Sequence, residues 1–177
     1  LLTGRKRVSI SSMLGPPWPS FAVRSTTHLQ NRRPKMSEPN VRKVRLRWTG
    51  EGLAFAGGPD GGPLINVDSD LETGPSPTHL LLLALAGCMA VDVKVILEKS
   101  RVLVDSIEVE ASGVRAESVP RKFTSIKLKY YLQGPSEEDA DRIQRALDLS
   151  RDKYCSVLHS LDPEIEFSLS FVSGMPQ

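Results

Sequence analysis

A chain of 177 residues, 40% hydrophobic and 25% charged, has the length and apolar content for one globular domain with a sizeable core. Its formal net charge is +2, yet the first 35 residues carry seven Lys/Arg (Arg5, Lys6, Arg7, Arg24, Arg32, Arg33, Lys35) and no acidic residue. The remainder is therefore net negative, which excludes a basic patch for nucleic acid, and its two cysteines read as redox-active rather than structural.

Residues 1–35 are rich in Ser, Pro and Arg and lack apolar periodicity, so they bury too little surface to order themselves. We read them as a disordered leader or upstream extension before a natural start at Met36. A transit peptide is the alternative. Residues 36–177 form a single domain in this reading.

Val41–Thr49 alternates apolar Val44, Leu46 and Trp48 with charged Lys43, Arg45 and Arg47, the period of a half-buried strand. Leu53–Ala56 and Leu64–Val67 predict two short strands. The intervening Gly57-Gly-Pro-Asp-Gly-Gly-Pro63 has turn chemistry, and without a following Gly-Lys-Ser/Thr it is not a phosphate loop.

Ser76 and Pro77 predict a helix cap and first turn, followed by apolar residues on nearly every face from Leu80 to Val91. That run is too short to span a bilayer, which takes about 20 residues, and soon meets Asp92 and Lys94. It predicts a buried helix in a soluble, cytoplasmic protein without a membrane partner. Ser106–Ala116 and Lys122–Leu132 alternate as two antiparallel strands, with Phe123, Ile126, Leu128, Tyr130 and Leu132 inward in the second. Ser136-Glu-Glu-Asp139 caps an amphipathic helix, Cys155 begins or closely precedes a short helix to Leu161, and Glu164–Val172 alternates as a last strand. The sum is an α+β fold without a nucleotide-binding fingerprint.

Two motifs carry a more specific signal. Gly74-Pro-Ser-Pro-Thr-His-Leu-Leu-Leu-Leu-Ala-Leu-Ala-Gly-Cys88-Met-Ala-Val-Asp-Val93, together with Lys153-Tyr-Cys-Ser-Val157, resembles the signature of the OsmC/Ohr family of thiol-dependent peroxidases. The resemblance spans about Val41 to Val172 and is nearer the less characterised OsmC-like branch. It implies antiparallel sheets around a long buried central helix in an intertwined homodimer, with active sites at the subunit interface. It also implies that Cys88 attacks a peroxide and Cys155 resolves the product. The hydroperoxide reductases of the family have a glutamate directly after the Pro of the turn, which helps hold an arginine beside the reactive cysteine. Thr78 followed by His79 stands there in this chain.

The chemistry needs a thiolate, and a free cysteine titrates near 8.5. Cys88 lies mid-helix, away from the favourable N-terminus, and Asp92 follows one turn later, so a cation is needed nearby; Arg45, Arg47 and Arg121 are the candidates. His79 projects from about the opposite helix face to Cys88, and Thr78 lies roughly 15 Å away along the axis. Lys153 would favour a Cys155 thiolate, whereas Tyr154, Val157, Leu158 and Leu161 would make Cys155 part of a core face. The pair Cys155 and His159 lacks two further ligands for zinc, so neither metal nor cofactor is expected. The resulting expectation is reduction of organic hydroperoxides with the help of a dithiol reductant, with Leu81, Leu85 and Met89 walling an apolar crevice. Two alternatives remain open: a non-catalytic protein of the same fold that binds an apolar small molecule, and a purely structural dimer.

Overall fold

A computed structural model describes residues 40–174; the expected leader at 1–35 lies outside the described residues. The elements follow in the order β1 (Val44–Trp48), β2 (Ala54–Pro59), β3 (Ile65–Asp68), α1 (Pro77–Lys99), β4 (Ser106–Arg115), β5 (Phe123–Gln133), α2 (Ala140–Leu149) and β6 (Glu166–Ser173). The class is α+β, as the sequence implies. The strands form two three-stranded sheets, β1-β2-β3 and β4-β5-β6.

The first sheet is an antiparallel meander in which Arg47 lies opposite Ala56 and Phe55 opposite Val67. β2 runs through Gly57 and Gly58 rather than turning there, and the reason is steric. A Cβ on Gly57 would collide with the Arg45 carbonyl and the Leu46 side chain, so only glycine lets β1 and β2 approach at this register. The expected half-burial of β1 is not met within the chain: Val44, Leu46 and Trp48 are all exposed.

Helix α1 extends from Pro77 to Lys99, eight residues beyond Val91, because Val93 and Leu97 continue its buried face past Met89, and Lys94 and Glu98 add an ion pair one turn apart on its surface. Its 23 residues meet the length and composition needed to cross a membrane, although a core helix passes the same test. Here Leu85, Met89, Val93 and Leu97 have no exposed surface and pack in one core with Ile126, Leu128, Tyr130 and Leu132 of β5 and Ile143, Ala146 and Leu147 of α2. The opposite face is not enclosed. Leu83, Val91 and Val95 are exposed, and Gly87 faces open space. The expectation of a helix buried on all sides therefore fails for the single chain, since one three-stranded sheet and one short helix cover only one side of it.

In the second sheet β4 and β5 pair antiparallel along their length, Ser106 opposite Gln133 and Val114 opposite Ser125. β6 corrects the expectation of purely antiparallel sheets, because it lies parallel to β5, with Ile126 beside Phe167 and Tyr130 beside Phe171. The crossover through α2 carries the chain back to the end where β5 began, and a strand starting there runs parallel. Lys122 pins this end through Asp162 at 2.8 Å and Glu164 at 3.3 Å. Ser136 opens the crossover with a capping box on Asp139, whose Oδ2 accepts from the Ser136 N–H at 3.1 Å and hydroxyl at 2.9 Å.

Candidate active site

The α2 helix does not end cleanly at Leu149. It widens into a π-helical turn, Ser150–Tyr154, closed by a hydrogen bond of 2.9 Å from the Cys155 N–H to the Ser150 carbonyl. Such turns insert an extra residue into a helix and re-aim the side chains that follow, often at functional sites. Here the turn points Cys155 into the core, with no exposed surface, beside α1.

Cys88, on α1, is half-buried and packs against the core cluster that holds Cys155; both thiols are free. The Cys88 Sγ approaches the Ser156 hydroxyl to 4.0 Å, and the Leu158 N–H donates to the Cys155 Sγ at 3.4 Å. Burial pushes the Cys155 thiol up to about 11. The Leu158 N–H pulls against that rise, and the adjacent Cys88 side chain adds to it, both as a hydrogen-bond partner and as a charge. Cys155 is thus held as a neutral thiol at physiological pH, against the expectation that Lys153 favours its thiolate. Lys153 instead lies over the Tyr154 ring at 5.5 Å.

Asp92 is one turn beyond Cys88, and its Oδ2 accepts a hydrogen bond from the buried Ser150 hydroxyl at 3.0 Å. The Tyr130 hydroxyl projects from β5 into the same region. It is wholly buried and has no hydrogen-bond partner. Burial, and then charge at Cys155, Asp92 and Cys88 in that order, holds its proton well above the usual tyrosine range. A buried, unpaired hydroxyl beside two thiols is the kind of orphan that clusters at functional sites.

The remaining residues singled out from sequence go elsewhere. Thr78 and His79 belong to the cap of α1: Ser76 Oγ lies 3.0 Å from Thr78 Oγ1 and 2.8 Å from His79 Nδ1, and it accepts from the His79 N–H at 3.4 Å. They sit ten and nine positions before Cys88, about 15 and 14 Å along the helix axis. Arg47 is exposed on β1, Arg45 pairs with Asp60 at 3.0 Å, and Arg121 lies in the β4–β5 turn, where its carbonyl accepts from Arg115 Nε at 2.8 Å. None of the three has a hydrogen bond or ion pair with Cys88 or Asp92 among the described residues. Leu85 and Met89 are sealed in the core, so of the expected crevice walls only Leu81 reaches the surface. Tyr130 and Ser150 were not anticipated as site residues. The inward register of β5 signals the burial of Tyr130, but no local pattern marks Ser150.

Two free cysteines brought together by a core helix and a widened helical turn, in an α+β fold with a mixed sheet, define a candidate dithiol site. Comparison with known proteins names the class. The profile of the family described as OsmC-like protein matches residues 68–170, and the chain belongs to this family. Protein YhfA of Escherichia coli strain K12 is 38% identical over 130 residues, covering 73% of this chain and 96% of YhfA. A crystal structure of a hypothetical protein from Aquifex aeolicus VF5 is 30% identical, with a TM-score of 0.67 over 78% of this chain and all of that one. The organic hydroperoxide resistance protein OhrB of Bacillus subtilis shares the fold at 19% identity, with a TM-score of 0.52 over 75% of this chain and 98% of its own.

Proposed function

We propose that this chain is a thiol-dependent peroxidase that reduces organic hydroperoxides, with Cys88 as the attacking thiol and Cys155 as the resolving one. The observation that carries the reading is the approach of Cys88 to Ser156, the residue after Cys155, which puts two free cysteines that are remote in sequence in one region of the core. Of the two, Cys88 is the accessible one, and Cys155 is held protonated until an oxidised partner appears beside it.

The Cys88 thiolate attacks one peroxide oxygen, the O–O bond breaks, and the alcohol leaves once its oxygen takes a proton. Cys88 becomes a sulfenic acid. Cys155 then gives up its proton and attacks the Cys88 sulfur, which expels water and forms the Cys88–Cys155 disulfide. An external dithiol restores both thiols by exchange, so two electrons pass from dithiol to peroxide. The buried, unpaired Tyr130 hydroxyl is a donor for the oxygen that arrives on sulfur. Asp92 positions the turn before Cys155 through Ser150, and Thr78 and His79 hold the start of α1.

We further infer that the active form is a homodimer. One exposed apolar stripe on α1 and a second on β1 lack cover in the single chain, and both need a partner. Arg47, carried on exposed β1, is available to a site in the second copy. Two free thiols fit a cytoplasmic location.

The test is consumption of cumene hydroperoxide with a dithiol reductant. Wild type should turn over, Cys88→Ser should not, and Cys155→Ser should stop at a sulfenic acid on Cys88. If both cysteines remain reduced after stoichiometric peroxide, the second reading replaces the first: an OsmC-like protein that binds an apolar small molecule. The lack of a cation paired with Cys88 among the described residues favours that reading.

A further inference from the structure

A thiolate is favoured at neutral pH by cations or hydrogen-bond donors placed at its sulfur. Cys88 has no cation partner among the described residues, and Asp92, one turn along α1, opposes a second negative charge. What does reach the sulfur is a hydroxyl: Ser156 Oγ lies 4.0 Å from Cys88 Sγ. Between a neutral thiol and a hydroxyl this is a weak contact in which either atom can donate. Once the thiol has lost its proton, sulfur can only accept, and the contact becomes a charge-assisted bond, which is shorter and stronger.

Ser156 is held in place for that role. Cys155 leaves the π-helical turn with extended backbone, and the residues after it fold at once into a tight turn. The His159 N–H donates to the Cys155 carbonyl at 3.1 Å, and the Ser160 hydroxyl donates to the Ser156 carbonyl at 2.7 Å. An exposed serine in such a turn commonly bonds back to nearby backbone. The Ser156 hydroxyl instead faces Cys88 and has no other hydrogen-bond partner among the described residues. The turn that buries Cys155 thus delivers the next side chain to the other sulfur. Both atoms belong to one chain, so the contact holds whichever face of α1 a second copy covers.

We propose that Ser156 is a further catalytic residue of the dithiol site, its hydroxyl donating to the Cys88 thiolate and stabilising it for attack. The assignment rests on the reading of Cys88 as the attacking thiol. The Cys88 proton leaves to solvent and Ser156 keeps its own. A hydrogen bond to a charged group is worth about tenfold in the ionisation equilibrium. The stabilised thiolate is a weaker nucleophile, by about threefold for a tenfold gain in its population. The hydroxyl therefore speeds attack about threefold where ionisation is incomplete, and slows it by about the same factor where ionisation is complete.

The test is the rate of attack on dithiodipyridine, a neutral disulfide, followed across pH in the full-length Cys155→Ser protein, in which Cys88 is the one cysteine left. Adding Ser156→Ala should slow the reaction about threefold at about pH 7 and speed it about threefold above about pH 10, so that the two profiles cross. Ser156→Thr, which keeps the hydroxyl, should follow the parent. Ser156 is exposed, so both variants should keep the parent's circular dichroism. A merely structural effect of the alanine would lower the rate by one factor at every pH. Coincident profiles, uniform slowing, or a threonine variant that behaves like alanine would each overturn the proposal. Peroxide consumption by the wild type is measured separately. Crossing profiles without peroxide turnover would sink the peroxidase reading and leave Ser156 as the donor to Cys88, whereas turnover with coincident profiles would do the reverse.

Discussion

Ser150 donates a hydrogen bond of 3.0 Å to Asp92, joining the first residue of the π-helical turn that aims Cys155 to the turn of α1 that follows Cys88. The two residues that bring the cysteines together are thereby tied to each other. Ser150 has no exposed surface, whereas Asp92 is half-buried, so the bond ties a core hydroxyl to a carboxylate at the edge of the core.

Ser150→Ala should therefore destabilise the chain by about 1 kcal/mol, the net worth of a part-buried hydrogen bond whose acceptor can turn to water instead. It should also slow closure of the Cys88–Cys155 disulfide after peroxide. Urea unfolding and quenched-flow mass spectrometry read the two effects. Normal closure in a destabilised variant would show that the bond serves stability alone.

Tyr130→Phe should act in the opposite direction on stability. It removes a buried hydroxyl that has no partner, so the melting temperature should hold or rise, by the equivalent of up to about 1–3 kcal/mol. Peroxide turnover should fall if the hydroxyl supports the oxygen on sulfur. A loss of stability in calorimetry would reveal a bond to ordered water.

Cys155 titrates at about 11 because burial opposes its charge, and this orders its reactivity with pH. At pH 8 iodoacetamide should label Cys88 and leave Cys155 untouched, in wild type and equally in Cys88→Ser. The sign for stability follows from linkage: the folded state keeps the Cys155 proton longer than the unfolded chain does. Stability contributed by the neutral thiol is complete below about pH 9 and is lost as pH rises toward 11. Cys155→Ala should lack that alkaline loss. Peptide mapping after alkylation and unfolding curves between pH 7 and pH 11 check both statements.

Leu83→Asp and Val91→Asp place charge on the exposed apolar stripe of α1 without touching the core residues Leu85, Met89 and Val93. Light scattering should give a dimer for wild type at micromolar concentration and a monomer for the double variant, with peroxidase activity lost alongside. A well-folded wild-type monomer at that concentration would remove the reason offered for the exposed stripe. Truncation before Met36 should leave the dimer intact.

Much of this protein is written in short-range patterns. The alternation through Tyr130 and Leu132, the Ser76-Pro77 start of α1 and the Ser136 cap of the crossover depend on residues within a few positions of one another, and each reads correctly because backbone and side-chain preferences act at that range. The two cysteine motifs likewise pointed to the family that the profile match shows. What spacing cannot carry is decided by closure of long loops and by packing. The meeting of Cys88 with Cys155 depends on a π-helical turn for which no local pattern exists, and the parallel seat of β6 depends on where the crossover returns. Of the arginines expected beside Cys88, Arg45 and Arg47 are carried on exposed β1, where Arg45 pairs with Asp60, and Arg121 lies in the β4–β5 turn, placements that follow from strand pairing rather than from spacing to Cys88. The contact of Ser156 with Cys88 exists only once the turn after α2 packs against α1, so neither segment alone could announce it.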